Sequence, residues 1–269
     1  MRIGWLSTGR DQAACNLLAD IVARAQQDDI PLHIAAVFCD REPGEAPESD
    51  GFLELVERLD FPLVTLSSAA SWRAAQELGV DRTVWRDEYH RGVMDLLVPY
   101  RLGVLVMAGY MLIVSPAMCR RYALLNLHPA LPDGPTGTWQ EVIWQLLEEE
   151  TSETGAMIHL ATAQLDRGPV VSSFRFPLTG DDWAPLWAQF REKRKTMGVA
   201  EIAAAEGESE PLFAEIRRRG EIREIPLLYQ TLCQFAQGKL NTAAGAVLAE
   251  SARLPLDLTE PVEAEMARR

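Results

Sequence analysis

Asn126, Leu127, His128 and Pro129 close a short apolar run, Ala123-Leu124-Leu125. The run reads as a buried strand whose C-terminal end delivers one amide and one imidazole. Pro129 cannot continue a sheet ladder, so the chain turns there. A second stretch, Leu165-Asp166-Arg167-Gly168-Pro169, follows the apolar run Ala156 to Ala161. It sets one carboxylate just before a Gly-Pro turn signal. If the two strand ends lie side by side, an amide, an imidazole and a carboxylate converge. Such a set polarises a carbonyl, moves a proton and holds the proton carrier in the right state. Taken singly, each residue has a plainer role: Asn as a turn former, His as a satisfied core residue, Asp as a turn cap.

The elements around these residues set the context. The chain has 269 residues, 48% hydrophobic and 24% charged, the balance of a globular protein with a sizeable core. Its formal net charge of −13 disfavours nucleic-acid binding, which needs a basic face. An anionic small molecule remains compatible, since backbone amides and one or two Arg bind phosphate locally. No apolar run reaches the roughly 18 residues of a membrane span. Met1 to Leu6 lacks a long apolar signal core, so a cytoplasmic protein is expected. Cys15, Cys39, Cys119 and Cys233 are far apart and form no CxxC or Cys/His cluster. They read as structural thiols, with neither a metal site nor a disulfide framework.

Along the chain, Arg2 to Ser7 predicts a first buried strand. A polar turn through Gly9, Arg10 and Asp11 follows, then a helix with Leu17, Leu18, Ile21, Val22 and Ala25 at helical spacing. A helix N-terminus there presents free N–H groups to an anion, and Arg10 adds a fork suited to phosphate. Asp11 as a simple helix cap is the competing role. Further strands are expected at 32–38 and 62–66, and helices at 52–59, 72–78 and 86–100. Gly103 to Ala108 is an apolar run, as a strand buried on both faces requires. Ser115-Pro116 starts a helix, with Ser as N-cap and Pro at the first helical position. Alternation of this kind predicts an open, mostly parallel, doubly wound α/β sheet with helices on both faces. Ligands in such sheets bind beyond the strands' C-terminal ends, where strand order reverses. Gly9, Gly109 and Asn126 all follow or end predicted strands.

Beyond the His128 strand come a helix over 139–150 and strands over 155–161 and 169–176. Three helices are expected over 183–194, 199–205 and 211–219. Arg191 to Lys195 is locally basic and reads as a solvated helix face. A separate amphipathic helix is expected over 221–235, with Gly238 as its C-cap. From Asn241 the chain turns small and polar and reads as a surface tail.

In order, Val106 to Pro116, Leu125 to Pro129, and Gly155 through Asp166 to Val171 resemble the folate-dependent formyltransferases, those acting on glycinamide ribonucleotide most of all. The resemblance covers about residues 1–178 and, more loosely, 221–240. It implies a formyltransferase domain over 1–178, with a substrate half near 1–100 and a folate and catalytic half near 101–178. A helical insertion and closing helix over 179–240 and a tail over 241–269 follow. It also implies formyl transfer from 10-formyltetrahydrofolate to a small-molecule amine, glycinamide ribonucleotide or a relative, as in purine biosynthesis, without a metal. Asn126 and His128 would steady the oxyanion of the tetrahedral intermediate. Asp166 would orient the imidazole and pass protons through a water. The folate would lie against Met111, Leu112, Ile113 and Val114 and against a loop with Ala163, Gln164 and Leu165. Met111 and Ile113 also suit core packing.

The acceptor end departs from the family pattern. A Gly-Asn-Gly-Ser-Asn phosphate loop becomes Gly9-Arg10-Asp11-Gln12-Ala13-Ala14-Cys15-Asn16, in which Gly9 and Asn16 correspond. The family's loop His is replaced by Trp139, and segment 183–219 has no counterpart. Glu224 matches a family Glu that touches the substrate amine. With Gly9, Arg10, Asp11, Asn16 and Gly109 it makes up the expected acceptor site. A hydrolase deformylating the folate, a transferase for another amine, and a non-catalytic folate-binding relative are the alternatives.

Overall fold

The computed structural model describes residues 1–243, 245–250 and 253–268. The chain runs β1 (Arg2–Ser7), α1 (Gln12–Gln27), β2 (His33–Cys39), α2 (Pro47–Arg58), β3 (Leu63–Thr65), α3 (Ser68–Glu77) and α4 (Arg82–Leu97). It continues through β4 (Val104–Met107), α5 (Pro116–Arg121), β5 (Ala123–His128), α6 (Trp139–Glu149), β6 (Glu153–Leu160) and β7 (Val170–Pro177). Then come α7 (Ala184–Arg194), α8 (Val199–Glu206), α9 (Pro211–Ala236), β8 (Leu240–Ala243), β9 (Ala246–Ala249), β10 (Leu256–Asp257) and α10 (Thr259–Met266). Two compact units divide it. Met1–Asn126, His159–Pro169 and Leu232–Leu254 form the first; Leu127–Ile158, Val170–Thr231 and Pro255–Arg269 form the second.

In the first unit the strands run β5-β4-β1-β2-β3, every neighbouring pair parallel. Strand order therefore reverses between β1 and β4. Right-handed crossovers then send the helices before and after that reversal to opposite faces, the doubly wound α/β arrangement expected from the sequence. The neighbours agree: α1 packs on α2, while α4 packs on α3 and α5. On the α4 side the core gathers Leu6, Phe38, Leu105 and Leu124 with Trp85, Tyr89 and Val93. Trp5 and Leu6, adjacent on β1 and so facing opposite ways, are both fully buried. A strand covered on both faces reads as an unbroken apolar run, as β4 does throughout and β1 does from Ile3 to Leu6.

Local rules moved some boundaries. The second helix starts at Pro47 rather than Phe52, because Pro fits the first helical turn, where its missing N–H costs nothing. The third starts at Ser68, capped by Ser67, whose side chain accepts from the Ala70 N–H. In the second unit β7 lies between β10 and β6, and β10 pairs with β7 in parallel. Thr138 and Glu141 form a capping box at the start of α6. The two helices expected over 211–219 and 221–235 are one, α9, which runs through Gly220 and Pro226. A mid-helix Gly costs only about 1 kcal/mol, which i,i+4 pairs such as Arg217–Glu221 help to offset.

The expected tail also carries structure. In the first unit β8 and β9 pair antiparallel, and the Thr242 hydroxyl donates to the Gly103 carbonyl at 2.9 Å. In the second unit α10 follows β10 and buries Val262. Backbone pairing needs no apolar pattern, so such short strands leave little trace in composition. Among the described residues, no helix is long and apolar enough to cross a membrane.

Gly155 on β6 faces the Phe174 carbonyl so closely that a Cβ would strike the oxygen. Gly155→Ala is expected to destabilise the protein by about 3 kcal/mol, read as a lower urea midpoint.

Candidate active site

At the C-terminal ends of β1 and β4 the chain meets itself. The Thr8 N–H donates to the Gly109 carbonyl at 3.1 Å. Gly9 and Gly109 both have positive φ, 58° and 72°. At Gly9 a Cβ would sit 2.9 Å from Cβ of Phe52, so geometry and space both demand glycine. These two candidate residues thus come together at the point where strand order reverses.

The other acceptor-end candidates divide. Asp11 is the N-cap of α1, its side chain accepting from the Ala14 N–H at 3.2 Å. Arg10 is exposed and pairs with Asp11 at 3.5 Å. Asn16 accepts from the Gln12 side chain at 3.0 Å and lines a groove between α1 and α2 with Cys15, Gly51, Leu55 and Arg58. Glu224 belongs to the second unit, on α9. It accepts from the Arg217 guanidinium at 2.7 Å, and that guanidinium lies 4.6 Å from the Trp139 ring centre. Burial raises the Glu224 carboxyl above the usual carboxylate range, and Arg217 pulls it back. With Gly220, Ile143 and Phe176 these residues line a small cavity.

The stretch leaving β4 alternates. Met111 is 49% exposed and Ile113 47%, whereas Val114 is buried and Leu112 packs on the α4-side core. Core packing therefore falls to Leu112 and Val114, not to Met111 and Ile113. The Met111 N–H donates to the Thr8 hydroxyl oxygen at 3.0 Å, which ties this stretch to the β1 end. Ala163, Gln164 and Leu165 are exposed as well, Leu165 by 60%. Thr162 organises their loop by bonding both the N–H and the carbonyl of Gln164.

Asn126 pairs in register with Met107, so it sits beside the strand end from which that stretch departs. Its side chain meets His159, with Nδ2 3.2 Å from the imidazole Nε2. The same Nε2 lies 3.6 Å from Asp166 Oδ1. Asp166 holds a left-handed backbone, φ 52°, which Asp tolerates better than most residues. His159 Nδ1 is 3.1 Å from the Leu160 carbonyl, an acceptor only, so Nδ1 carries a proton. Neutral His159 then offers Nε2 as an acceptor to the Asn126 amide. This points an Asn126 N–H at the ring and fixes the amide's rotation. Charged His159 would instead donate from Nε2 toward Asp166.

His128, at the end of β5, belongs to the second unit. In its own unit it is buried, and its Nε2 donates to the Pro135 carbonyl at 2.9 Å. The first unit thus joins Asn126 to Asp166 through His159. Sequence reading placed His159 inside an apolar strand and gave it no role. Its trace was there: one imidazole in a run otherwise apolar, seven positions before Asp166. Among the described residues no three His, Cys, Asp or Glu gather as metal ligands. Burial pushes the Cys39 thiol up to about 12, and Cys233 is buried too.

Comparison with known proteins gives these observations a frame. The family described as formyl transferase matches residues 12–195, more than half of the chain. Phosphoribosylglycinamide formyltransferase of Escherichia coli K12 is 36% identical over 99 residues, 36% of this chain and 46% of that protein. The chain thus aligns with less than half of that relative's length. The enzyme of the same name from Mycobacterium tuberculosis H37Rv is 28% identical over 179 residues, 65% of this chain and 74% of its own. Among solved structures, phosphoribosylglycinamide formyltransferase of Coxiella burnetii has a TM-score of 0.61 at 19% identity, covering 93% of both chains. A formyltetrahydrofolate deformylase of Pseudomonas syringae pv. tomato has a TM-score of 0.55 at 18% identity, covering 92% of this chain and 65% of its own. Likeness at these identities shows the shared fold.

Replacing His159 by Phe keeps the ring but strips the Asn126 amide of its partner. The variant is expected to lose about 1–3 kcal/mol of stability in chemical denaturation, the cost of a buried polar group left unpaired.

Proposed function

Because the chain belongs to the formyl transferase family, we propose that it moves a formyl group from 10-formyltetrahydrofolate to an amine. The observation that carries this reading is the exposure of Met111 and Ile113. Two large apolar side chains are about half exposed on the stretch that leaves β4, the strand whose last residue pairs with Asn126. A flat heterocycle covers such a surface and bonds the backbone between the two residues.

In this reading the acceptor nitrogen attacks the formyl carbon, and a C–N bond forms. The carbonyl oxygen takes up the charge until the bond to N10 of the folate breaks. Asn126 gives that oxygen an N–H whose direction His159 sets. His128, when protonated, gives it a second donor. Asp166 accepts a proton from the attacking amine through a water, and the same route returns one to N10. Donors aimed in advance at developing charge need no reorganisation during the reaction, which is why such groups weigh heavily in rate.

The finer proposal takes glycinamide ribonucleotide or a related amine as acceptor, held by Gly9, Arg10, Asp11, Asn16, Gly109 and Glu224. An anion at the start of α1 meets the Asp11 carboxylate beside the helix N–H groups. Arg10 must leave Asp11 to bind it, at little cost for so exposed a pair. Glu224 must leave Arg217 to take an ammonium. One reading avoids both steps: hydrolysis, with water in place of the amine. The pairing of both acceptor-end groups favours keeping it in the test.

That test is a turnover assay with 10-formyltetrahydrofolate and a panel of amines, water included. Glycinamide ribonucleotide turning over faster than water supports the transferase. Release of formate at the same rate with or without any amine supports the hydrolase. In either case Asp166→Asn keeps the left-handed turn and is expected to lower kcat on the order of a hundredfold or more. Activity within about threefold of wild type would remove Asp166 from the mechanism, since acid–base catalysis contributes far more than that.

A further inference from the structure

Tyr110 stands between Gly109 and Met111, at the start of the stretch that leaves β4, and is 6% exposed. Its hydroxyl lies 3.3 Å from Nε2 of His90, a fully buried residue of α4. His90 Nδ1 is 2.9 Å from the Arg86 carbonyl one helical turn back, and a carbonyl only accepts, so Nδ1 carries a proton. Burial pulls the His90 imidazole below its ordinary range, which keeps the ring neutral and leaves Nε2 an acceptor. Burial pushes the Tyr110 phenol up, so it stays protonated. The phenol therefore donates and the imidazole accepts, and each satisfies a polar atom that the core would otherwise leave bare.

The rest of the stretch is anchored by apolar side chains. Leu112 and Val114 face the same α4-side core as Tyr110, whereas Met111 and Ile113 are about half exposed. Apolar contacts are non-directional and tolerate sliding. A hydrogen bond does not: moving Tyr110 off His90 would strand a buried hydroxyl and a buried ring nitrogen. In an alternating stretch, a slip of one residue turns Met111 and Ile113 inward. His90 is itself held in place. Its ring meets Tyr89 and Tyr110 edge-on, at 5.4 and 6.3 Å between ring centres, and the Tyr89 hydroxyl donates to the Leu66 carbonyl at 2.6 Å. Phe38, on β2, meets the Tyr110 ring edge-on at 6.2 Å. The helix thus offers the stretch one directional contact among several non-directional ones.

We infer that His90 is a positioning residue, which through the Tyr110 hydroxyl fixes the register of the stretch that leaves β4 and so keeps Met111 and Ile113 turned outward to receive the folate. The inference rests on the folate reading proposed above. It adds a residue of α4, outside the apolar surface and outside the Asn126, His128 and Asp166 set.

The test uses the full chain with Tyr110→Phe, His90→Phe and the two changes together. Tyr110→Phe removes one oxygen and keeps the ring. The Kd is measured for tetrahydrofolate, which has no formyl group to transfer, and amide hydrogen exchange is followed at Met111. Each single variant is expected to raise the Kd about fivefold, as loss of one hydrogen bond lets the outward register fall to about a fifth of the population. Met111 exchange is expected to speed by about the same factor. The double variant matches the single ones, because both changes break one link. With saturating 10-formyltetrahydrofolate, kcat stays within about twofold of wild type while KM rises, the mark of binding lost equally from ground and transition states. A bond that served packing alone would lower the urea midpoint and leave Kd, KM and Met111 exchange unchanged, and that result would overturn the inference. Effects that multiply in the double variant would overturn it too. If His90→Phe does not fold, Tyr110→Phe decides by the same Kd and exchange readings. Wild-type protein that binds no tetrahydrofolate, with Met111 exchange still faster in Tyr110→Phe, would sink the folate reading and leave the register link standing. Wild-type binding that neither variant weakens would sink the inference alone.

Discussion

The hydrogen bond from the Thr8 N–H to the Gly109 carbonyl closes the point on which the first unit depends. Parallel pairing sends the C-terminal ends of β1, β2, β3, β4 and β5 to one edge. Reversal of strand order between β1 and β4 then makes their following loops leave in opposite directions. The chain must turn sharply at both of these strand ends. Gly9 and Gly109 take up left-handed backbone there, and at Gly9 the nearby Phe52 leaves no room for a side chain. Once these turns are set, the position of Asn126 follows from strand register, opposite Met107.

Polarity at that edge is managed by pairing rather than by solvent. His159 is almost fully buried, yet both its ring nitrogens have partners: the Leu160 carbonyl on one side, Asn126 and Asp166 on the other. An amide held this way presents its donor in a fixed direction. Beside this polar set the surface turns apolar at Met111, Ile113 and Leu165. The contrast between this paired polar set and the apolar rim beside it is what the folate reading proposed above rests on.

The second unit is organised by aromatic rings and guanidinium groups. Arg217 lies over Trp139, Arg219 over Trp183 and Arg223 over Phe176, all from the N-terminal two turns and centre of α9. Each of these Arg residues also meets a carboxylate: Glu224, Glu215 and Glu263 in turn. Arg218 and Arg219, both donating to Glu215, hold that carboxyl down to about 2. Single pairs of this exposure stabilise little. The helix runs on through Gly220 and Pro226, and it also buries Phe213, Ile216, Leu227 and Leu228. Trp139 and Glu224 become two walls of one cavity in this way, with Arg217 between them.

Much of this was legible in the residues themselves. The apolar runs at 2–7 and 103–108 had to be buried strands, Ser115-Pro116 had to start a helix, and strand–helix alternation implied the parallel sheet. The order of motifs around Asn126, His128 and Asp166 identified the family. Local pattern did not reveal whether a given apolar residue faces in or out when the backbone is irregular. Met111 and Ile113 differ from Leu112 and Val114 only by where β4 ends and which way the next loop turns. Nor did it reveal His159, whose partners come from positions 126 and 166, or the bond from Met111 to Thr8 across 103 positions. The continuity of α9 and the β8–β9 hairpin were likewise hidden, because Gly220 reads as a break between two apolar patterns and backbone pairing needs no apolar period. The sequence by itself determined which groups are present and which segments must be buried. Tertiary structure alone decided which of those groups share an edge of the sheet, because that depends on strand order, and strand order is set by long-range pairing.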